Sequence, residues 1–344
     1  MKCTLCPRKC GVDRDKARGY CLGESKIKIA KVMIHNWEEP CISGRCGSGA
    51  IFFSGCPLKC VYCQNKDISH GGIGQEVSVA GLSKIMLDLQ ARGVHNINLV
   101  SPTQYADRIR EAIDLIRDEL KIPVVYNTGG YELATEIEKM AGYVDVFLTD
   151  MKYFSPELSE KYSKAPNYFE NAIDAFKAML KIAPECIFDE DHIIKKGIIL
   201  RHLIIPSHRA DSIEILERVA EICDVSNIRL SLMSQYTPEF YDGEYKERDV
   251  DVEAWKTVKG TYPDTEHVRF RTLPAVTFAS AVYRGPYGGI GAANEAVAAW
   301  VRDNGYAFDG PAFNIYHVSP HETQNPEEFV TEVCYPVRRI GRGV

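Results

Sequence analysis

Cys56, Cys60 and Cys63 stand in the order C-x3-C-x2-C, and three thiolates this close together can hold three corners of an iron–sulfur cubane. A cluster ligated wholly by protein takes four cysteines, so a three-cysteine loop leaves one iron open for a substrate or cofactor to chelate. The competing reading is structural zinc, but such sites are normally closed by four ligands, often as two short C-x2-C pairs. Nearer the N-terminus, Cys3, Cys6, Cys10 and Cys21 read C-x2-C-x3-C-x10-C, enough to close a tetrahedral zinc site or to carry an auxiliary iron–sulfur cluster. Cys3-x2-Cys6-x3-Cys10 mirrors the spacing of the later motif, so on spacing alone the two compete. Context favours the later one: Gly55 precedes Cys56 at the end of a strand-like run, and Gln64-Asn65 follows Cys63. Cys41 and Cys46 flank a Gly/Ser segment as spare thiols, and the isolated Cys186, Cys223 and Cys334 suit small buried apolar positions.

Nine of the twelve cysteines fall within the first 63 residues. In a reducing compartment such clustering points to metal or redox chemistry rather than disulfides. A cytoplasmic protein is expected, because residues 1–6 lack the apolar core of a signal peptide. The apolar run 197–206 is interrupted by Arg201 and His202 and is too short to cross a bilayer, so no membrane partner is expected. Net charge is −6 with no long run of like charge, which argues against nucleic acid as a partner. The basic residues Arg338, Arg339 and Arg342 suit a solvated terminus.

These cysteines need elements to position them. Strand-like runs at 50–54, 96–101, 123–128, 144–151, 197–206 and 227–233 alternate with helical patterns at 79–93, 105–120, 133–140, 169–182 and 210–223. Leu82, Ile85, Met86 and Leu89 recur at helical spacing before Gly93 ends the pattern. Alternation of this kind implies an α/β fold: a parallel sheet with right-handed crossovers, curled into a six-stranded partial (β/α) barrel. Chemistry in such barrels sits on loops at the C-terminal ends of strands, where the three-cysteine loop falls. Beyond a polar stretch the pattern changes to strands at 249–258 and 268–283, a helix at 290–304, and strands at 313–319 and 328–337. That is a small α+β module. The expected division is a cysteine-rich segment 1–48, a barrel 49–238, a linker 239–248 and a C-terminal module 249–338.

The C-x3-C-x2-C spacing, with Tyr62 before its last cysteine, resembles the signature of the radical S-adenosylmethionine (SAM) superfamily. Phe52-Phe53-Ser54-Gly55-Cys56 and Cys63-Gln64-Asn65 are similar to the branch of pyruvate formate-lyase activating enzymes. Further matches are Ser101-Pro102-Thr103-Gln104, Tyr126-Asn127-Thr128, Asp150-Met151-Lys152, Arg201-His202-Leu203 and Ser234-Gln235-Tyr236. The resemblance spans about residues 1–238. It implies a [4Fe–4S] cluster on Cys56, Cys60 and Cys63, and SAM cleaved reductively to a 5′-deoxyadenosyl radical that abstracts hydrogen. It also implies a low-potential electron donor and a substrate that includes glycyl radical enzymes. Asp150, Lys152 and His202 match positions that this branch uses around SAM, and Tyr62, Asn65 and Asn127 join them as candidates. Asp150 can accept hydrogen bonds from ribose hydroxyls and Lys152 can neutralise the SAM carboxylate. The plainer readings are a surface ion pair for the first two and a satisfied histidine for His202. Similar N-terminal cysteines occur in the same branch.

Tyr283-Arg284-Gly285-Pro286-Tyr287, the Trp300 helix and Thr331-Glu332-Val333-Cys334-Tyr335-Pro336-Val337 resemble a GyrI-like effector-binding domain over about residues 249–338. Such domains take small, often cationic, molecules. Glu332 shares a strand face with Val330 and Cys334, where a carboxylate is costly unless a cation pairs it. Tyr283, Tyr287, Trp300 and Tyr316 are the candidate aromatic walls. The module carries one full repeat plus a final strand where the usual domain has two, so a homodimer is expected to supply the missing half. A different class of function, a sensor of small cationic ligands with a non-catalytic barrel, stands beside the enzyme reading.

Overall fold

The computed structural model describes residues 2–206, 208–233, 276–309, 312–319, 322–323 and 325–340. The expected linker 239–248, the strand 249–258 and the match Ser234-Gln235-Tyr236 lie outside the described residues. Contacts divide the chain into two units, Met1–Glu253 and Ala254–Val344.

Among the described residues of the first unit, nine strands form one sheet: β1 (Ile27–His35), β2 (Ser48–Phe53), β3 (Gln75–Val77), β4 (Ile97–Val100), β5 (Val124–Thr128), β6 (Val146–Asp150), β7 (Ile187–Phe188), β8 (Ile194–Leu203) and β9 (Arg229–Met233). Their order is β3-β1-β2-β4-β5-β6-β8-β7, with β9 also paired to β8. The run β2-β4-β5-β6-β8-β9 is parallel throughout, the six expected barrel strands in the expected order. β1 and β3 extend the sheet antiparallel beyond β2, and β7 pairs antiparallel with β8.

Both faces of the parallel strands are apolar, as crossover connections require. Tyr126, Phe147, Ile198 and Leu200 join a core beneath the helices with Leu82, Met86, Ile109 and Phe176. The alternate residues Val125, Val146, Leu148 and Ile199 form a second cluster on the other face with Ile42 and Ile194. Successive side chains of a strand point to opposite faces. Asn127, Asp150 and Arg201 therefore continue that second, inner face at the carboxyl ends of β5, β6 and β8.

The helix Val79–Ala91 starts where Ser78 accepts a hydrogen bond from the Gly81 amide and stops before Gly93, which takes φ +79°. The helix expected at 105–120 closes earlier, at Ala106–Leu115. A helix that apolar periodicity does not announce, Pro156–Ser163, is capped by Ser155 with Pro156 in its first turn, and its last residue faces the cysteine loop.

In the second unit β10 (Phe278–Arg284), β11 (Tyr306–Phe308), β12 (Phe313–Val318) and β13 (Val330–Arg339) form an antiparallel sheet in which β13 pairs with the other three. The helix Gly291–Asp303 covers one face, packing Ala293, Val297 and Val301 on Val333 and Val337.

Candidate active site

The loop after β2 begins at Gly55, whose φ of +84° disfavours any side chain. A Cβ there would stand 2.0 Å from the Cys21 carbonyl oxygen, the group that accepts the Cys56 amide at 3.1 Å. Gly55→Ala is expected to cost about 1–3 kcal/mol and to displace Cys56, read as a lower melting temperature together with reduced iron loading.

Cys60 is buried, and Ser163 Oγ donates to its Sγ at 2.9 Å; Cys63 Sγ lies 3.3 Å from Ser69 Oγ. Burial, then the neighbouring Cys60, push the Cys56 thiol well above its ordinary range, with Cys63 adding to the effect. Burial also raises Cys60, opposed by Lys152. The three thiols thus feel one another, and Lys152 feels two of them. Tyr62 is buried, its hydroxyl 2.5 Å from that of Tyr153, which in turn hydrogen-bonds Ser163 at 2.7 Å. Asn65 is exposed and opens the short helix Lys66–Ser69 without a side-chain cap bond.

Beside the loop stands a nearly buried ion network. Asp150 Oδ2 accepts from Lys152 Nζ at 2.5 Å and Asp150 Oδ1 accepts from Arg201 Nε at 2.8 Å. Arg201 also donates to Asn127 Oδ1 at 2.8 Å and meets Glu38 Oε2 at 3.4 Å, while Asn127 Nδ2 donates to Glu38 Oε1 at 3.2 Å. Burial opposes ionisation of Asp150, yet Arg201 and Lys152 outweigh it and hold its carboxyl below the usual range. Asp150 and Lys152 are therefore a buried pair, not a surface one. Glu39 Oε2 and both polar atoms of Asn98 are buried without a partner among the described residues. Buried polar atoms are nearly always satisfied, so these suit a polar small molecule or ordered water completing the network.

His202 falls on the other side of β8. Its neighbour Arg201 points inward, so His202 points to the helices, where Nδ1 meets Met151 O at 2.6 Å and Nε2 meets Ser212 Oγ at 2.8 Å. Both ring nitrogens are engaged within the protein, and the contact to Met151 braces the turn between Asp150 and Lys152. Glu38, Ser163 and Tyr153 join the site although no motif singles them out, and so does Arg201, whose motif Arg201-His202-Leu203 pointed to His202 instead. Strand parity on β8 is the signal available for Arg201; for the others only the fold brings them in.

A second buried carboxylate, Glu132, lies near the ends of β4 and β5, where Thr103 Oγ1 and Thr128 Oγ1 each donate to its Oε1 at 2.5 Å. Burial raises its pKa to about 7 against the lowering effect of both threonines. The folded chain thus binds the proton more tightly than the unfolded one, so this group's contribution is present in mild acid and lost as pH rises through 7. Glu132→Gln keeps the acceptor and removes the charge. It is expected to gain up to ~3 kcal/mol at pH 8 and little near pH 4.5, measured as melting temperature against pH.

Among the described residues no group of three or more His, Cys, Asp or Glu is already arranged to hold a metal ion. The donor set nonetheless fits a cluster: three mutually interacting thiols on one loop, two with hydroxyls in contact, and a buried cation alongside. The decisive comparison is with family models. The one described as the Radical SAM superfamily matches residues 50–188, from β2 through the cysteine loop to β7. The chain belongs to the radical SAM superfamily. The radical SAM family implies a [4Fe–4S] cluster and SAM as cofactors.

A second model, the GyrI-like small molecule binding domain, matches residues 198–338. Its match starts within β8, earlier than the 249 expected, although β8 and β9 pair here as strands of the radical SAM sheet. An "Uncharacterized protein MJ0674" of Methanocaldococcus jannaschii is 30% identical over 258 residues, covering 71% of this chain and 68% of the relative. The EcmrR C-terminal domain is 29% identical with TM-score 0.19, over 20% of this chain and 43% of that one. A putative vitamin-B12 independent methionine synthase from Listeria monocytogenes is 16% identical with TM-score 0.25, over 45% and 46%. Each of these two solved chains is thus matched over less than half its length. No helix among the described residues is long and apolar enough to cross a membrane.

In the GyrI-like part the structure divides the five predicted ligand residues. Tyr283 packs with the helix side of the sheet, and Trp300, on that helix, lines a groove of about 360 Å³ with Ala279, Ala281 and Val297. Trp300 stacks on Tyr306 at 5.4 Å, and Tyr287 meets Tyr316 at 5.7 Å. Glu332 lies one residue out of step with Val333, on the face away from the helix, where Ser280 Oγ donates at 2.5 Å and His317 Nε2 lies 2.9 Å away. Its carboxyl is lowered first by Ser280 and then by His317.

Proposed function

We propose that this radical SAM enzyme is of the activating-enzyme type, binding its cluster through Cys56, Cys60 and Cys63 and SAM across the carboxyl ends of β5, β6 and β8. The observation that carries the reading is the Asn127–Asp150–Lys152–Arg201 network set on the inner face beside the thiols. With cluster and SAM bound, the cofactors supply one-electron cleavage of a sulfonium to a 5′-deoxyadenosyl radical able to take a hydrogen atom. The chain's own residues do the positioning. Lys152 offers its ammonium to a carboxylate, and Asp150 keeps lone pairs for ribose hydroxyls while two cations hold it ionised. Arg201 fixes Asp150 from the neighbouring strand, and His202 fixes the backbone between Asp150 and Lys152. Ser163 and Ser69 steady the sulfurs, while buried Tyr62 and Leu58 exclude water from the loop.

The substrate reading, a glycyl radical enzyme reached with electrons from a low-potential donor, rests on the likeness to the activating branch. For the second unit, a homodimer would complete the C-terminal module. Anaerobic reconstitution with iron and sulfide tests the core of the enzyme reading. About four irons per chain at the barrel thiols are expected, with an EPR signal of the reduced cluster that changes when SAM is added and 5′-deoxyadenosine as product. Zinc alone at these cysteines, or a spectrum indifferent to SAM, would overturn it. The groove beside Trp300 favours small-molecule binding by the second unit; saturable quenching of Trp fluorescence by a planar organic cation, lost in Trp300→Ala, is its check.

A further inference from the structure

Residues 2–26 contain no helix and no strand beyond an isolated bridge between Lys2 and Asp13. Their buried positions are Cys6, Pro7, Gly19, Cys21 and Gly23. Large aliphatic side chains are missing from that set. A stretch this short cannot be held by a hydrophobic core it does not have, and small structures of this kind are stapled by a disulfide or a metal. Its cysteines are all free thiols.

The four thiols neighbour one another, although among the described residues they are not drawn together into a metal-binding group. Cys21 feels the charge of both Cys3 and Cys10, and Cys6 feels that of Cys21 and Cys3. Gly19 is the floor between two of them: a Cβ there would lie 3.5 Å from Cys10 Sγ and 3.5 Å from Cys21 Sγ. The backbone folds around them through Lys9 N to Cys6 O, Gly11 N to Cys3 O and Cys3 N to Val12 O. Lys9 and Gly11 take the left-handed conformation that this tight wrapping needs, at φ +41° and +65°.

The same segment grips the barrel's cysteine loop. Cys21 O accepts from Cys56 N, which places the two Cα atoms within roughly 7 Å by standard backbone dimensions. Arg8, two residues from Cys6 and from Cys10, donates to Pro57 O at 2.9 Å, to Ser163 O at 3.2 Å and to Lys164 O. Ser163 is the residue whose hydroxyl donates to Cys60 Sγ. The N-terminal segment therefore touches the loop on both sides, at Cys56–Pro57 and behind Cys60.

We propose that Cys3, Cys6, Cys10 and Cys21 bind a thiophilic metal as four thiolates, and that this centre is the staple that turns residues 2–26 into a clamp on the loop of Cys56, Cys60 and Cys63. The clamp role rests on the proposed cluster at that loop; the metal site does not. Zinc and iron share the coordination chemistry, and each thiolate formed releases its proton as the metal enters.

The test uses the full chain carrying Cys56→Ser, Cys60→Ser and Cys63→Ser, titrated anaerobically with Co2+ alone. Binding of one equivalent is expected, with the intense sulfur-to-cobalt charge-transfer absorption of tetrahedral thiolates, and its loss when Cys10→Ser is added. A folded triple variant that binds no Co2+, or binding indifferent to Cys10→Ser, overturns the site. Alkylation of the unmutated, metal-loaded chain tests the site independently: Cys3, Cys6, Cys10 and Cys21 should be protected while exposed Cys46 reacts. Acid-labile sulfide in the triple variant after iron loading separates a cluster from a single ion. For the clamp, Cys10→Ser in the native background should reduce iron at the barrel thiols by at least half; undiminished loading overturns the clamp and leaves the metal site standing.

Discussion

Cys60→Ser is expected to give a folded chain that holds no stable cluster and forms no 5′-deoxyadenosine above background. Serine nearly matches cysteine in volume, and Cys60 sits where Ser163 Oγ already makes a polar contact, so far-UV circular dichroism should be unchanged. What disappears is one of three thiolates with no fourth on the loop to replace it. Iron and sulfide analysis, with chromatography of the product, reads the effect. Cys46→Ser is the control: its thiol is exposed and forms no part of the loop, and iron loading should match the parent. Normal turnover by Cys60→Ser would move the active centre away from this loop.

Arg201→Met carries the largest expected stability effect, about 3–5 kcal/mol. The substitution keeps an apolar stem of similar length but strands Asp150 and Glu38, whose side chains are about as buried as their partner's. Half of the Asp150 pairing survives through Lys152, which sets the lower end of the range. The pH dependence follows from sign. A carboxyl held below its unfolded pKa contributes stability above the ordinary carboxylate range and loses it as pH falls through the folded value. Since Arg201 is the largest influence lowering Asp150, its removal shrinks that contribution and moves the acid unfolding midpoint to higher pH. Urea titrations between pH 3 and 7 measure both effects. Lys181→Met, at an exposed pair 3.4 Å from Glu138, should change stability by under ~1 kcal/mol.

Much of the fold is readable because it rests on local periodicity. The six parallel strands, the helix after Ser78 and the helix before Gly305 announce themselves in apolar spacing and stop residues. Strand β1, between β3 and β2, escapes that pattern although Ile27-Lys28-Ile29 alternates, because it precedes the barrel and pairs antiparallel. Site residues are harder for a different reason. On β8 the pair Arg201-His202 presents one charged or polar side chain to each face, and only the register opposite Asp150 shows which one points inward. In the second unit a one-residue step likewise separates Glu332 from the face that carries Tyr283. Types of residue are visible in the sequence, but the side on which each stands is not.

Sequence alone determined the chemistry on offer: thiolates at C-x3-C-x2-C spacing on a strand-end loop of an α/β chain, since spacing within eight residues is a covalent property that folding does not alter. Tertiary structure decided what surrounds those sulfurs. Ser163 lies 103 residues from Cys60 and Arg201 lies 51 from Asp150, separations at which no local pattern predicts contact. Such partners are set by strand order and pleat, which place the carboxyl ends of distant strands side by side and direct alternate residues inward.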